Sequence, residues 1–321
     1  MNRELRVLVM SGKPAIVYAP LRHALSSGGK RLRALLVLLA SNAVGGNDAV
    51  ALPAAVAVEC LHNFTLIHDD VMDRSPVRRG RPTVHAKWND AVAVLAGDQL
   101  MALGYESLLG GEGRRVQAGK GKPRAGAARI LSVYTRAYRH VCEGQGYDLE
   151  FEGRRAVTMR EYRRMIELKT ARVIAAAAEI GALAGGGSPE EVRALRGYGE
   201  RLGLAFQIRD DVLDVTGVQK EFGKKIGGDI ARGKKTYLLV KAMETARGRD
   251  AALLRRVAMG RGARLVGQVR SVYERTGAVD AAAREIGKLT RTAKSGLRSF
   301  PGSAGKAILL DFADRLADRT A

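Results

Sequence analysis

Cysteine is nearly absent from this chain of 321 residues, which holds two, Cys60 and Cys142. They show neither metal-ligand spacing nor a disulfide framework, so a reducing cytoplasm is the expected setting. Aromatic residues are scarce at 5%. No basic surface studded with aromatics for stacking single-stranded nucleic acid stands out, and nucleic acid is not expected as a partner. Alternating apolar segments are missing, which argues against a strand-built fold. The N-terminus lacks a signal-type apolar stretch, and the run Ala34 to Ala40 is too short to cross a bilayer, so no transmembrane segment is expected. Acidic residues are in deficit: 33 Asp+Glu against 54 Lys+Arg leave a formal charge of +21. That balance favours anions, whether phosphorylated substrates, nucleic acid or an anionic membrane surface. The excess is scattered arginine, including the Gly/Arg/Lys-rich stretch 110–129, and reads as solvated surface rather than a binding stripe.

What is present is helix-forming. Hydrophobic residues make up 46% of the chain, with alanine and leucine dominant. Long segments carry helical periodicity. They break at Gly28-Gly29, Gly45-Gly46-Asn47-Asp48, Gly185 to Pro189, and Gly217. Pro53 suits a helix start and Pro76 a stop, while Pro189 opens a helix capped by Ser188. The glycine-rich stretch 110–126 reads as a loop between two helical stretches. The expected architecture is one all-α domain, residues 1–321, a large helical bundle around a central cavity.

Two clusters of one form carry the chemistry: Asp69-Asp70-Val71-Met72-Asp73 and Asp210-Asp211-Val212-Leu213-Asp214. On a helix, positions i and i+4 share a face, and like charges there repel. A lone cluster would read as a solvated helix face. Two of them, each at the end of an apolar helix, point to bound cations. Magnesium suits such oxygen donors, because it is commonly shared between one or two carboxylates and substrate phosphates. All six aspartates are therefore candidate metal ligands, facing the cavity from both sides.

Further motifs occur in a set order: Gly28-Gly29-Lys30-Arg31-Leu32-Arg33, His62, Arg78-Arg79-Gly80-Arg81-Pro82-Thr83, Gly97-Asp98, Gly144-Gln145, Lys169-Thr170, Gln207, Gly223-Lys224, and Gly233-Lys234-Lys235-Thr236. With the two aspartate motifs, this series resembles the trans-isoprenyl diphosphate synthases of the polyprenyl synthase family over roughly residues 20–300. Ala34 departs from the family's usual proline after Lys-Arg-x-Arg.

The resemblance implies a Mg²⁺-dependent prenyltransferase that joins isopentenyl diphosphate to an allylic diphosphate head-to-tail, in a helical homodimer. About three Mg²⁺ ions would bridge both aspartate motifs and the allylic diphosphate. By resemblance, Lys30, Arg33, His62 and Arg79 hold isopentenyl diphosphate without metal. A basic turn at a helix start suits that task on its own terms. Arg78, Lys169, Lys234 and Lys224 (or Lys225) would hold the allylic diphosphate, while Thr170 and Gln207 face the allylic cation. His68 reads as structural.

Product length is expected to be set one or two turns upstream of Asp69, by Phe64, Thr65 and Leu61. Phe64 lies five residues before Asp69, roughly 7–8 Å along a helix axis. An aromatic there, a small Thr65 and an uninterrupted motif resemble synthases making C20 geranylgeranyl diphosphate. Farnesyl diphosphate, or a longer chain, is the alternative. A class I terpene cyclase would not need the isopentenyl-binding set, and a regulatory subunit would have lost aspartates.

Overall fold

The computed structural model describes residues 1–110, 126–217, 227–298, 300 and 304–317. Lys224, Lys225 and most of the 110–126 stretch lie outside the described residues. The helices are α1 (Asn2–Met10), α2 (Ala15–Ser26), α3 (Leu32–Ala43), α4 (Asp48–Met72), α5 (Val84–Lys87), α6 (Asp90–Leu109), α7 (Ala127–Glu152), α8 (Met159–Ile166) and α9 (Arg172–Ala184). They continue with α10 (Pro189–Thr216), α11 (Gly228–Arg232), α12 (Tyr237–Thr245), α13 (Gly248–Ala258), α14 (Val266–Arg275), α15 (Ala278–Ser295) and α16 (Ala304–Ala317). A π-helical turn, Glu167–Ala171, joins α8 to α9. A short antiparallel hairpin pairs β1 (Val77–Arg78) with β2 (Arg81–Pro82), with Arg78 opposite Arg81. The all-α expectation holds. The hairpin escaped it because two-residue strands are too short to show a period of two.

The chain divides into two compact units. One comprises Met1–Tyr138, Ala176–Leu195 and Pro301–Leu309; the other comprises Arg139–Ala175, Arg196–Phe300 and Leu310–Ala321.

In the first unit α4 is the core helix, buried on nearly every side by small residues such as Ala51, Ala54, Ala55 and Ala57. It is long and apolar enough to span a membrane, yet 67% of its most apolar window is buried within this fold. It starts before Pro53, because the Asn47 side chain accepts from the Val50 N–H at 3.1 Å and caps it. An asparagine cap contributes about 1 kcal/mol, and here it outweighs the proline signal. Pro53 sits inside the helix. Ser188 caps α10 as expected, through a 3.3 Å bond from the Glu191 N–H to its hydroxyl. Gly97 on α6 admits the ring of His68, since a Cβ there would stand 2.1 Å from Nε2.

The second unit packs around Tyr162, Ile208, Val212, Leu238, Leu254 and Tyr273. Amphipathic α13 and α14 bury Leu254 and Val257, and Val269 and Val272, respectively. Their charged faces point outward, as their helical spacing dictates.

Candidate active site

In the first unit the Asp-Asp-x-x-Asp motif ends α4, with Asp73 as the C-cap residue. Asp70 is buried, and its carboxylate accepts from Arg78 Nε at 2.9 Å and Nη2 at 2.8 Å. Arg78 stands on β1, beside a two-residue turn whose residues Arg79 and Gly80 have φ of 52° and 73°. Positive φ at both positions is the type I′ turn that matches strand twist. Arginine adopts that backbone reluctantly, and the Arg79 guanidinium donates to the carbonyl of Gly28. The hairpin is thereby tied to the Gly28-Gly29 turn, where Lys30 lies exposed.

Arg31 also has positive φ, 49°, at the N-cap of α3. Its guanidinium reaches Glu59 at 2.7 Å and the Leu25 carbonyl at 2.6 Å. Glu59 is buried and accepts from Asn63 at 3.0 Å. This ion pair links the basic turn to α4. It was not singled out from sequence, because the partners lie 28 residues apart.

Arg33 Nη1 lies 3.2 Å from His62 Nε2. A guanidinium can only donate, so Nε2 accepts and the ring proton resides on Nδ1. Burial first, then the charges of Arg33, Arg79, Arg78 and Arg31, hold the His62 pKa well below its usual range. His62 is a neutral donor among cations, suited to an anion. Four of the predicted anion-binding residues thus share one locality: Arg33, His62, Arg78 and Arg79.

Phe64 is buried in edge-to-face contact with His68 at 4.6 Å and Tyr138 at 5.3 Å between centroids. His68 Nε2 also lies 3.0 Å from the Val94 carbonyl, a structural role. The Thr65 hydroxyl bonds back to the His62 carbonyl at 2.8 Å, and Leu61 is buried. Cys60 is buried too; burial, then the Glu59 charge, pushes its thiol up to about 12.

In the second unit Lys169 and Thr170 lie inside the π-helical turn. Such turns recur at functional sites. Gly144 on α7 allows the turn to approach, because a Cβ there would stand 2.3 Å from the Lys169 nitrogen. Lys169 Nζ donates to Asp148 at 2.7 Å, and Lys234 Nζ lies 3.6 Å from the same oxygen. Burial would raise the Asp148 pKa, but Lys169 and Lys234 outweigh it and hold it low. Asp148 was missed from sequence. It lies one turn after Gly144, and only the fold shows that this face of α7 meets Lys169. Lys235 turns away and donates to the carbonyls of Gly233 and Ala258.

The second aspartate motif is built into a chain of hydrogen bonds. The Thr170 hydroxyl donates to Gln207 Oε1 at 2.7 Å, and Gln207 Nε2 donates to Asp211 at 3.0 Å. Asp211 also accepts from the Tyr162 hydroxyl at 2.7 Å and the Tyr237 N–H at 2.8 Å. Burial raises the Asp211 pKa to about 7 against these three donors. Asp214 accepts from the Asp229 N–H at 3.0 Å. Asp211 and Asp214 therefore order their surroundings directly, and Asp210, half-buried, is the remaining member.

Among the described residues no three His, Cys, Asp or Glu side chains converge as a ready-made metal cage. The donors are hard carboxylate oxygens in two motifs. Magnesium fits such a set, since it keeps several waters and completes its sphere with phosphate oxygens.

The polyprenyl synthetase family model matches residues 14–276. A short chain isoprenyl diphosphate synthase of Methanothermobacter thermautotrophicus is 38% identical over 319 residues, covering 99% of this chain and 95% of that protein. A geranylgeranyl diphosphate synthase of Methanosarcina mazei is 45% identical over 232 residues, covering 72% and 69%. The crystal structure of a geranylgeranyl pyrophosphate synthetase from Pyrococcus horikoshii superposes with a TM-score of 0.91 at 35% identity, covering 99% and 94%. Both aspartate motifs, the basic turn and the lysine pair fall inside the matched span, and the chain belongs to the polyprenyl synthetase family of trans-prenyltransferases, with its all-α isoprenoid synthase fold.

Proposed function

We propose that this protein condenses isopentenyl diphosphate with an allylic diphosphate and releases geranylgeranyl diphosphate. Residues 1–321 act as one isoprenyl diphosphate synthase domain, in a cytoplasmic homodimer. The observation that carries the reading is that both aspartate motifs stand complete, each with cations on its own unit: Arg78 on Asp70, and Lys169 with Lys234 on Asp148.

Asp69, Asp70 and Asp73, with Asp210, Asp211 and Asp214, are the donors proposed for about three Mg²⁺ ions. Magnesium, when bound, supplies Lewis-acid stabilisation of the departing diphosphate. Lys169, Lys234 and Arg78 hold the allylic diphosphate and neutralise charge that grows as its C–O bond breaks; Lys224 is proposed to join them. Lys30, Arg33, Arg79 and the Nδ1–H of His62 hold isopentenyl diphosphate. The Thr170 carbonyl and Gln207 Oε1 face the allylic cation with partial negative charge. The double bond of isopentenyl diphosphate attacks that cation, and the released diphosphate takes the proton. Exclusion of water protects the cation from quenching.

The growing tail runs back along α4 to Phe64, where packing by His68 and Tyr138 supports a floor at C20. A C25 product is a second reading, favoured by similarity to proteins named geranylfarnesyl diphosphate synthase. C15 farnesyl diphosphate is a third. The deciding experiment incubates the purified protein with Mg²⁺, labelled isopentenyl diphosphate and C5, C10 or C15 allylic starters. A C20 product is expected. A C15 or C25 product keeps the reaction and overturns the floor; no elongation by folded protein overturns the reaction.

A further inference from the structure

The proposed reaction leaves most of the +21 charge unused. Part of it is concentrated: between Arg247 and Arg275 there are eight arginines against Asp250 and Glu274. These residues form α13, α14 and their connection.

A cleft of about 530 Å³ opens here, lined by Arg249, Arg256 and Arg275 with Asp250, Gln268 and Ser271, over Ala252 and Leu253. The spacing explains it. Positions 249, 252, 253 and 256 share one face of α13, and 268, 271 and 275 share one face of α14. Leu254 and Val257 on α13, and Val269 and Val272 on α14, are buried on other faces of their helices, which leaves these two rows outward.

Three arginines therefore line one cleft from two helices. Asp250 accepts from Arg275 at 2.9 Å, which fixes that guanidinium. Arg249 and Arg256 have no carboxylate partner among the described residues. Many arginines elsewhere do: Arg31, Arg78, Arg154 and Arg163 are ion-paired. Three arginines less one aspartate leave the lining at +2, and like charges gathered in one cleft repel unless an anion joins them. Guanidinium forks match phosphate oxygens two at a time.

We infer that the cleft between α13 and α14 is a second phosphate site, distinct from the residues proposed for catalysis, that binds a phosphate-bearing anion, free or carried on a lipid headgroup. The apolar floor of Ala252 and Leu253 accommodates a ligand wider than inorganic phosphate.

The test uses the full chain and two probes. Inorganic diphosphate is titrated calorimetrically in EDTA, and vesicles of phosphatidylcholine with or without phosphatidylglycerol are cosedimented. A cleft variant, R249A/R256A/R275A, is compared with a control of equal charge loss, R3A/R6A/R284A. The wild type is expected to bind at least one probe, with the cleft variant at least tenfold weaker at that site and the control unchanged. Loss of one diphosphate equivalent identifies a free anion, and loss of phosphatidylglycerol-dependent sedimentation identifies a headgroup. Should the alanine variant unfold, R249K/R256K/R275K keeps the charge without the forks and is expected to bind several-fold more weakly. Equal binding by wild type and cleft variant overturns the inference. So does wild type binding neither probe, or equal weakening of the control. Elongation by the cleft variant at the wild-type rate separates this result from any failure of the proposed reaction.

Discussion

Asp148 holds Lys169 at 2.7 Å while the same carboxylate oxygen lies 3.6 Å from Lys234. One buried acid thereby orients both lysines proposed to grip the allylic diphosphate. Asp148→Asn should lower kcat by about tenfold to a hundredfold, the scale seen when an orienting partner is lost. Stability should fall by about 2 kcal/mol in urea unfolding, as for a lost hydrogen bond to a charged group. Asp148→Glu should recover part of the rate. Full activity in Asp148→Asn would remove the positioning role.

Phe64 touches both His68 and Tyr138. Phe64→Ala should lengthen the product beyond C20 and destabilise by about 3 kcal/mol, since a buried ring leaves a cavity. Chromatography of dephosphorylated products reads the first effect and thermal unfolding the second. Lost stability with unchanged product would make Phe64 plain core.

His62 is held neutral, with its folded pKa well below the usual histidine value. As pH falls below about 6.5, the unfolded chain takes up a proton that the folded chain refuses, so stability falls with pH. The contribution is fully present above the unfolded value. Its slope below it should be about 1.4 kcal/mol per pH unit. In His62→Gln that component should vanish from the difference between unfolding curves at pH 5 and pH 7.

Gly144 meets the backbone of Lys169. Gly144→Ala should force α7 and the π-helical turn apart, with loss of activity exceeding tenfold and a cost of about 1–3 kcal/mol, typical of overpacking. Gly146, which meets nothing within 4 Å, is the control position. Helix propensity favours alanine at both sites, so equal losses at both would remove the close approach to Lys169 as the cause.

Chelation should separate the two proposed substrate sites. EDTA should abolish elongation, yet isopentenyl diphosphate should still bind, because the residues proposed to hold it, Lys30, Arg33, His62 and Arg79, would do so without metal. Calorimetry of isopentenyl diphosphate with and without EDTA checks this.

What the sequence made legible was local. The aspartate motifs, the Ser188 cap and the Gly28-Gly29 break each lie within a few residues, where helical spacing and turn chemistry apply directly. Asp148, Glu59 and Tyr162 stayed hidden, since their partners are 21, 28 and 49 residues away along the chain. Their identities resemble any charged or aromatic helix residue until the fold supplies the neighbour. Lys234, predicted as a diphosphate ligand, and its neighbour Lys235 differ in direction, one toward Asp148 and the other toward carbonyls. The π-helical turn had no marker at all, because Glu-Leu-Lys-Thr-Ala is ordinary helical sequence.

That turn also fixes the register of α9. In place of the usual spacing, the Arg172 N–H reaches back five residues to the Glu167 carbonyl, so the segment contains one residue more than a regular helix would hold. A helical residue is worth about 100° of rotation. Deleting any one of residues 167–171 would restore a conventional helix and leave Tyr162 and Ala175 near their present faces, but it would remove the widened turn that carries Lys169 and Thr170. Ala175 sits tightly against Gly199, and Tyr162 against Asp211. The surplus residue is thus an insertion that the neighbouring contacts tolerate, and what it adds is local: a widened turn at Lys169 and Thr170 rather than a new course for the helix.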